Sequence, residues 1–161
     1  MKAFLQISIL FMLLLTACSK SEEYSRLGNP SNLDSQDGEI QAYITSHSLT
    51  MTRDSSGLWY QIKEKGDTSS FMALTSIPTL TYSRSNLKDT LLDASFAATD
   101  FDGRKLKDHI AGWQIGLRKI GRGGSISMII PSRLGFGTNA VGSIIPANTI
   151  LVCEVTLVDF K

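Results

Sequence analysis

The residue types that most often carry catalysis are few in this chain and poorly placed to act together. The cysteines are Cys18, near the start, and Cys153, near the end, and no His/Cys set has the spacing of a zinc site. Cys18 closes an apolar N-terminal run and Cys153 sits in an apolar alternating segment, so each has a better reading than a disulfide between them. No activated nucleophile, acid–base pair or cofactor motif stands out, and neither a metal nor a cofactor is implied. Gly121-Arg122-Gly123-Gly124 hints at a phosphate loop, but no Walker lysine follows, and a tight chain reversal explains it better. Arg118, Lys119 and Arg122 form the one small basic cluster, which reads as a solvated turn. The chain holds 16 basic and 15 acidic residues; taking away residues 1–17 removes Lys2 alone and leaves 15 against 15. So balanced a body excludes nucleic-acid binding of the kind that rests on a basic patch.

The order of the elements says more than any single side chain. At 161 residues the chain suits one modest domain with a targeting segment. Residues 1–17 read as a signal peptide, with Lys2 as the basic start and Phe4 to Leu15 as an almost unbroken apolar run. That run is shorter than the ~20 residues needed to span a bilayer. Leu15-Thr16-Ala17-Cys18 resembles the bacterial lipoprotein signal, in which the peptide is cut before the Cys and the Cys is acylated. The resemblance implies a membrane anchor through lipid on Cys18 and a place in the bacterial cell envelope. Ser19, where an Asp would signal inner-membrane retention, favours the outer membrane, facing the periplasm or the surface. Several acyl chains at ~0.8 kcal/mol per buried CH2 anchor far better than one. Residues 18–36 are polar and without period, which reads as a lipidated flexible tether.

Residues 37–56 read as a short N-terminal helix and lead-in, with Asp37 as its N-cap and Ile40, Tyr43 and Ile44 at helical spacing. From residue 57 to 161 the period changes. Leu58, Tyr60 and Ile62 alternate with Trp59, Gln61 and Lys63, and Leu80 and Tyr82 alternate in a second strand. A third strand is expected around Thr90 to Phe96. Ile110, Trp113 and Leu117 then fall on one face of a brief helix. Ile126, Met128 and Ile130 form a strand face closed by Pro131, and Thr149 to Phe160 is a last strand with Leu151, Cys153, Val155 and Leu157 on one side. Strands outnumber helices, and the clear helix falls between strands. This pattern predicts an α+β domain in which a helix covers one face of an antiparallel sheet.

Gly112-Trp113-Gln114-Ile115-Gly116-Leu117, Gly123-Gly124, Ile130-Pro131, Leu134-Gly135-Phe136-Gly137, Ile144-Ile145-Pro146 and Leu151-Val152-Cys153-Glu154-Val155 follow one another with the spacing of a known family. With Tyr82 and Leu92-Asp93 upstream, the set resembles the FKBP-type peptidyl-prolyl isomerases over about a hundred residues. The resemblance implies a curved antiparallel sheet wrapped on a short helix, with an apolar pocket between them. It implies that Trp113 is the pocket floor, that Ile110 offers its backbone N–H to a substrate carbonyl, and that Tyr82 and Asp93 form a hydrogen-bonded pair on the wall. Tyr82, Asp93, Ile110, Trp113 and Phe136 are thereby the expected catalytic set. Leu92, His109, Ile145 (at the lip) and Cys153 are the expected substrate-binding surround. The partners implied are proline-containing polypeptides, with binding of FK506-like macrolides a further expectation.

Such a site needs no nucleophile. Amide resonance sets a barrier of ~18–20 kcal/mol to rotation, and X–Pro bonds exchange in tens to hundreds of seconds. The twisted transition state loses that resonance, so a dry pocket disfavours the planar ground state more. Several residues depart from the family pattern. Leu92 and Cys153 stand where it has Phe, Phe136 where it has a ligand-binding Tyr, His109 where it has Val, and Arg84 where it has Gly. Phe101, and less well Phe96, are candidates for the remaining pocket Phe. These changes predict a larger, softer pocket with His109 at the rim, and leave open an FKBP-like binding or chaperone module of weak isomerase activity.

Overall fold

The chain's structure is a computed structural model that describes residues 30–161, with side chains from Gln36 onward. The expected signal peptide, the expected lipidation at Cys18 and most of the stretch read as a tether lie outside the described residues. Helix α1 spans Pro30–Ser46 and so begins inside the stretch read as tether. Proline suits a first turn because its missing N–H has no partner there anyway. Asp37, read as the N-cap, is instead inside the helix. Its Oδ1 accepts from Arg53 Nε and Trp59 Nε1, each at 3.2 Å, which ties α1 to the first strands.

Six strands follow: β1 (Thr52–Arg53), β2 (Trp59–Glu64), β3 (Pro78–Ser85), β4 (Leu91–Ala94), β5 (Ser125–Ile130) and β6 (Leu151–Phe160). They form one sheet in the order β1-β2-β5-β6-β3-β4, antiparallel throughout. Bulges at Thr79/Leu80 and Arg84/Ser85 interrupt the regular register of β3, and such insertions bend and twist a strand. The short helix α2 (Ala111–Gly116) lies against one face, continued by a 3-10 turn over Leu117–Lys119. Glycine is required where α2 meets β5. A Cβ on Gly112 would come within 2.6 Å of Ile130 Cγ2, and one on Gly116 would collide with the Met128 sulfur. Only a bare backbone packs that closely.

Two cores result. Leu58, Leu80, Trp113, Leu117, Ile126, Met128, Ile130, Leu151, Val155 and Leu157 belong to the larger, between α2 and the sheet. The smaller lies on the other face, where Ile40 of α1 meets Ile129 and Ile150 with Tyr43, Ile44 and Trp59 around them. This explains why β5 is buried along nearly its whole length, although simple alternation predicted one apolar face only. Gln36 clamps the start of this contact, donating from Nε2 to Ser132 Oγ and accepting the Ser132 N–H, both at 3.0 Å. The basic trio is not merely solvated. Lys119 pairs with Asp54 at 2.8 Å, Arg122 with Asp159 at 2.6 Å, and Arg118 Nε donates to Gln114 O at 3.0 Å.

Candidate functional site

The loop into α2 ends at Ile110, whose extended backbone (φ −57°, ψ 146°) turns the chain into the helix. Its carbonyl accepts the N–H groups of Trp113 and Gln114 at 3.0 and 3.2 Å. The Ile110 N–H donates to no acceptor among the described residues. In front of it opens a cavity of about 350 Å³ between the start of α2 and the β3–β4 edge. Trp113, 2% exposed, is at its base. Tyr82 meets the indole edge-on at 5.2 Å between ring centroids, Phe101 lies 5.8 Å away, and His109 is tilted at 5.5 Å. Such edge and offset geometries suit the charge distribution of aromatic rings.

The polar wall is built on β3 and β4. Tyr82 Oη donates to Asp93 Oδ2 at 2.8 Å. Arg84, two residues along the same face of β3, donates from Nη2 to that same oxygen and to Tyr82 Oη, the latter at 3.3 Å. Its guanidinium carbon lies 4.8 Å from the Tyr82 ring centroid, 5.3 Å from Trp113 and 5.6 Å from Phe136. The arginine is only 11% exposed at the side chain, and its Nε is buried with no partner among the described residues. Burial and the Asp93 hydrogen bond push the Tyr82 phenol above its ordinary range, while Arg84 pulls it back. Arg104 and Asp108 stand at the cavity margin.

His109 is a wall rather than a rim. Its ring packs edge-on to Phe101 at 4.9 Å and its Nε2 is buried without a partner among the described residues. Burial, then the nearby Arg104 cation, hold its pKa below the usual histidine value, so it is neutral at pH 7. Cys153 lies beneath the site, fully buried, and burial pushes its thiol up to about 12. The Trp113 Nε1–H lies against that thiol, a weak acceptor that leaves it without a full hydrogen bond.

The structure brings Tyr82, Asp93, His109, Ile110, Trp113 and Phe136 to one cavity and leaves three expected residues off its lining. Leu92 is half-buried at the edge of the main core, too short to supply a wall. Cys153 ends below the surface that a larger side chain would reach. Ile145, expected at the lip, is 3% exposed because its bridge to Val141 turns it into the core; Val141, 40% exposed, lines the cavity instead. Of the two candidate phenylalanines, Phe101 lines the cavity and Phe96 is fully exposed. Phe101 holds φ at 53°, costly for a bulky residue, and such outliers gather at functional sites. Arg104, Asp108 and Val141 were missed, and Arg84, named as a departure from the family pattern, lines the cavity as well. Strand alternation from Tyr82 was a usable signal for Arg84; loop residues such as Val141 offered none.

Residues 79–158 match the family model of FKBP-type peptidyl-prolyl cis-trans isomerase. The chain is similar to the FKBP-type peptidyl-prolyl cis-trans isomerase FkpA of Buchnera aphidicola subsp. Schizaphis graminum, with 38% identity over 124 residues, 77% of this chain and 49% of that relative. Against FkpA of Escherichia coli K12 the identity is 33% over 112 residues, 66% of this chain and 39% of the relative. The chain thus spans about half or less of the length of these curated relatives. The crystal structure of E. coli FkpA superposes with a TM-score of 0.69 at 27% identity, over 81% of this chain and 61% of that one. A peptidyl-prolyl isomerase structure from Pseudomonas syringae pv. tomato shares the fold at TM-score 0.66 and 19% identity, over 83% of this chain and 98% of that one. With the sheet, the helix that it wraps and the matched run of residues together, the chain carries a domain of the FKBP-type peptidyl-prolyl cis-trans isomerase family.

Proposed function

We propose that this domain catalyses cis–trans isomerisation of X–Pro bonds in polypeptides, and that it assists the folding of exported proteins in a bacterial cell envelope. The observation that carries the reading is the cavity itself. An indole base ringed by Tyr82, Phe101, His109 and Phe136 faces a backbone N–H at Ile110 that has no acceptor among the described residues. In this reading the prolyl ring enters the aromatic box and Ile110 N–H holds a substrate carbonyl. Removal of water then favours the twisted, less polar amide over the planar one. No proton transfer is needed, which fits a neutral His109 and a buried, neutral Cys153. Phe136 keeps a ring without a hydroxyl donor, a loss of about 0.5–1.5 kcal/mol in ligand affinity.

The test is a protease-coupled assay on a Leu-Pro or Phe-Pro peptide with the full chain in mild detergent. Acceleration that is suppressed by an FK506-like macrolide supports the reading; a rate equal to the uncatalysed one contradicts it. Anchoring through a lipid on Cys18, in the outer membrane, is a separate part of the proposal. Labelled palmitate should enter the wild-type chain in a bacterial host and not Cys18→Ser, and an unlabelled wild type would sink that part.

A further inference from the structure

Arg84 stands over the indole where the proposed reading needs the prolyl ring. Its cross-strand partner in the β3–β6 register is Cys153, and the short thiol side chain leaves room above it. The guanidinium takes that room, within 6 Å of three ring centroids, and with the surrounding rings and core it leaves Trp113 only 2% exposed. A prolyl ring can meet the indole only if this cation turns aside. Turning aside breaks its contact with Asp93 and with the rings, and its Nε already lacks an acceptor among the described residues. The field in the cavity is also uneven. Arg104 and Asp108 both line it and make no ion pair among the described residues, while Asp93 is engaged by Tyr82 and Arg84. At His109 the Arg104 cation outweighs Asp108.

We propose that Arg84 is the specificity-determining residue of this site, selecting polypeptides with Asp or Glu immediately before the proline; this rests on the isomerase reading above. A carboxylate on the substrate gives the displaced guanidinium a new charge-assisted partner as the prolyl ring takes its place. An apolar residue at that position leaves the cation without one, and a lysine there meets Arg84 and Arg104 with like charge.

Three peptides alike except for Glu-Pro, Leu-Pro or Lys-Pro, assayed with the full chain, test this. The expected kcat/KM for Glu-Pro exceeds that for Lys-Pro by about tenfold, with Leu-Pro between. Arg84→Gly narrows the Glu-to-Lys ratio to about twofold and raises the Leu-Pro rate several-fold, since the box is then open. Arg84→Gln, closer in size and uncharged, also narrows the ratio, so the test stands if the glycine variant folds poorly. Salt near 1 M, where the screening length falls to about 3 Å, narrows it in the unaltered chain. Catalysis of all three peptides at equal rates, or a Glu preference that survives in both variants, overturns the role of Arg84 and leaves the isomerase reading intact. No acceleration of any peptide by the chain or its variants overturns both.

Discussion

The chain has two tryptophans, Trp59 and Trp113, and they mark two differently built faces of one sheet. Trp113 rises from α2 toward a cavity, with its Nε1–H short of a good acceptor and a cation over its ring. Trp59 sits on β2 under α1, and its Nε1–H is satisfied by Asp37. The α2 face is joined by bare glycine backbone against Ile130 and Met128, and its polar groups crowd at one end. The α1 face is joined by a small apolar contact at Ile40 and closed by polar clamps at Gln36, Asp37 and Tyr43. A face with unsatisfied groups around an opening is equipped to take a ligand; a face whose polar groups are already paired is equipped to hold a helix.

Substitutions on the two faces should therefore separate stability from activity. Trp113→Ala removes the largest core side chain and the base of the cavity; a loss of about 3–5 kcal/mol in urea unfolding is expected, with isomerase activity abolished. Ile40→Ala should lose about 2–3 kcal/mol by the same measurement and keep the per-molecule rate under conditions where it remains folded. Trp59→Phe forfeits one hydrogen bond to Asp37 and should lose about 1 kcal/mol, again with the rate kept. A rate lost on Ile40→Ala or Trp59→Phe would break the division between the faces.

The histidines sharpen it, with opposite signs. His109, on the cavity face, has a folded pKa below its unfolded one, so its contribution to stability is present above about pH 6.5 and falls as the pH drops below that value. His47, on the α1 face, has its pKa raised by the Tyr43 carbonyl and then by Asp89. Its contribution is present below the unfolded value and is lost as the pH rises through the folded one. Melting temperatures between pH 5 and 8 should show His109→Phe relatively more stable at the acid end and His47→Gln relatively less so. The same direction of change in both variants would contradict this assignment.

Much of the α2 face was legible in the sequence because its constraints are local. Gly112 and Gly116 flank Trp113 for a packing reason, and the alternation of β5 and β6 points Ile126, Met128, Val155 and Leu157 at the same helix. The α1 face was less legible. A helix that starts at Pro30 within a polar stretch has little apolar period there, and Asp37 looked like a cap because its real donors, Arg53 and Trp59, are distant in sequence. The cavity wall was the hardest to read. Leu92, Phe136 and Cys153, taken singly, predict an enlarged pocket, yet the β3–β6 register puts Arg84 opposite Cys153 and the guanidinium takes the space. That pairing is a property of the sheet, not of either segment.

The two indole N–H signals provide the most direct test of where the site lies. With the chain labelled in nitrogen-15 and assigned through Trp59→Phe, a proline peptide added in excess should shift the Trp113 signal and leave Trp59 in place. A shift at Trp59 alone, or at neither indole while the peptide is being isomerised, would contradict a prolyl site on the α2 face.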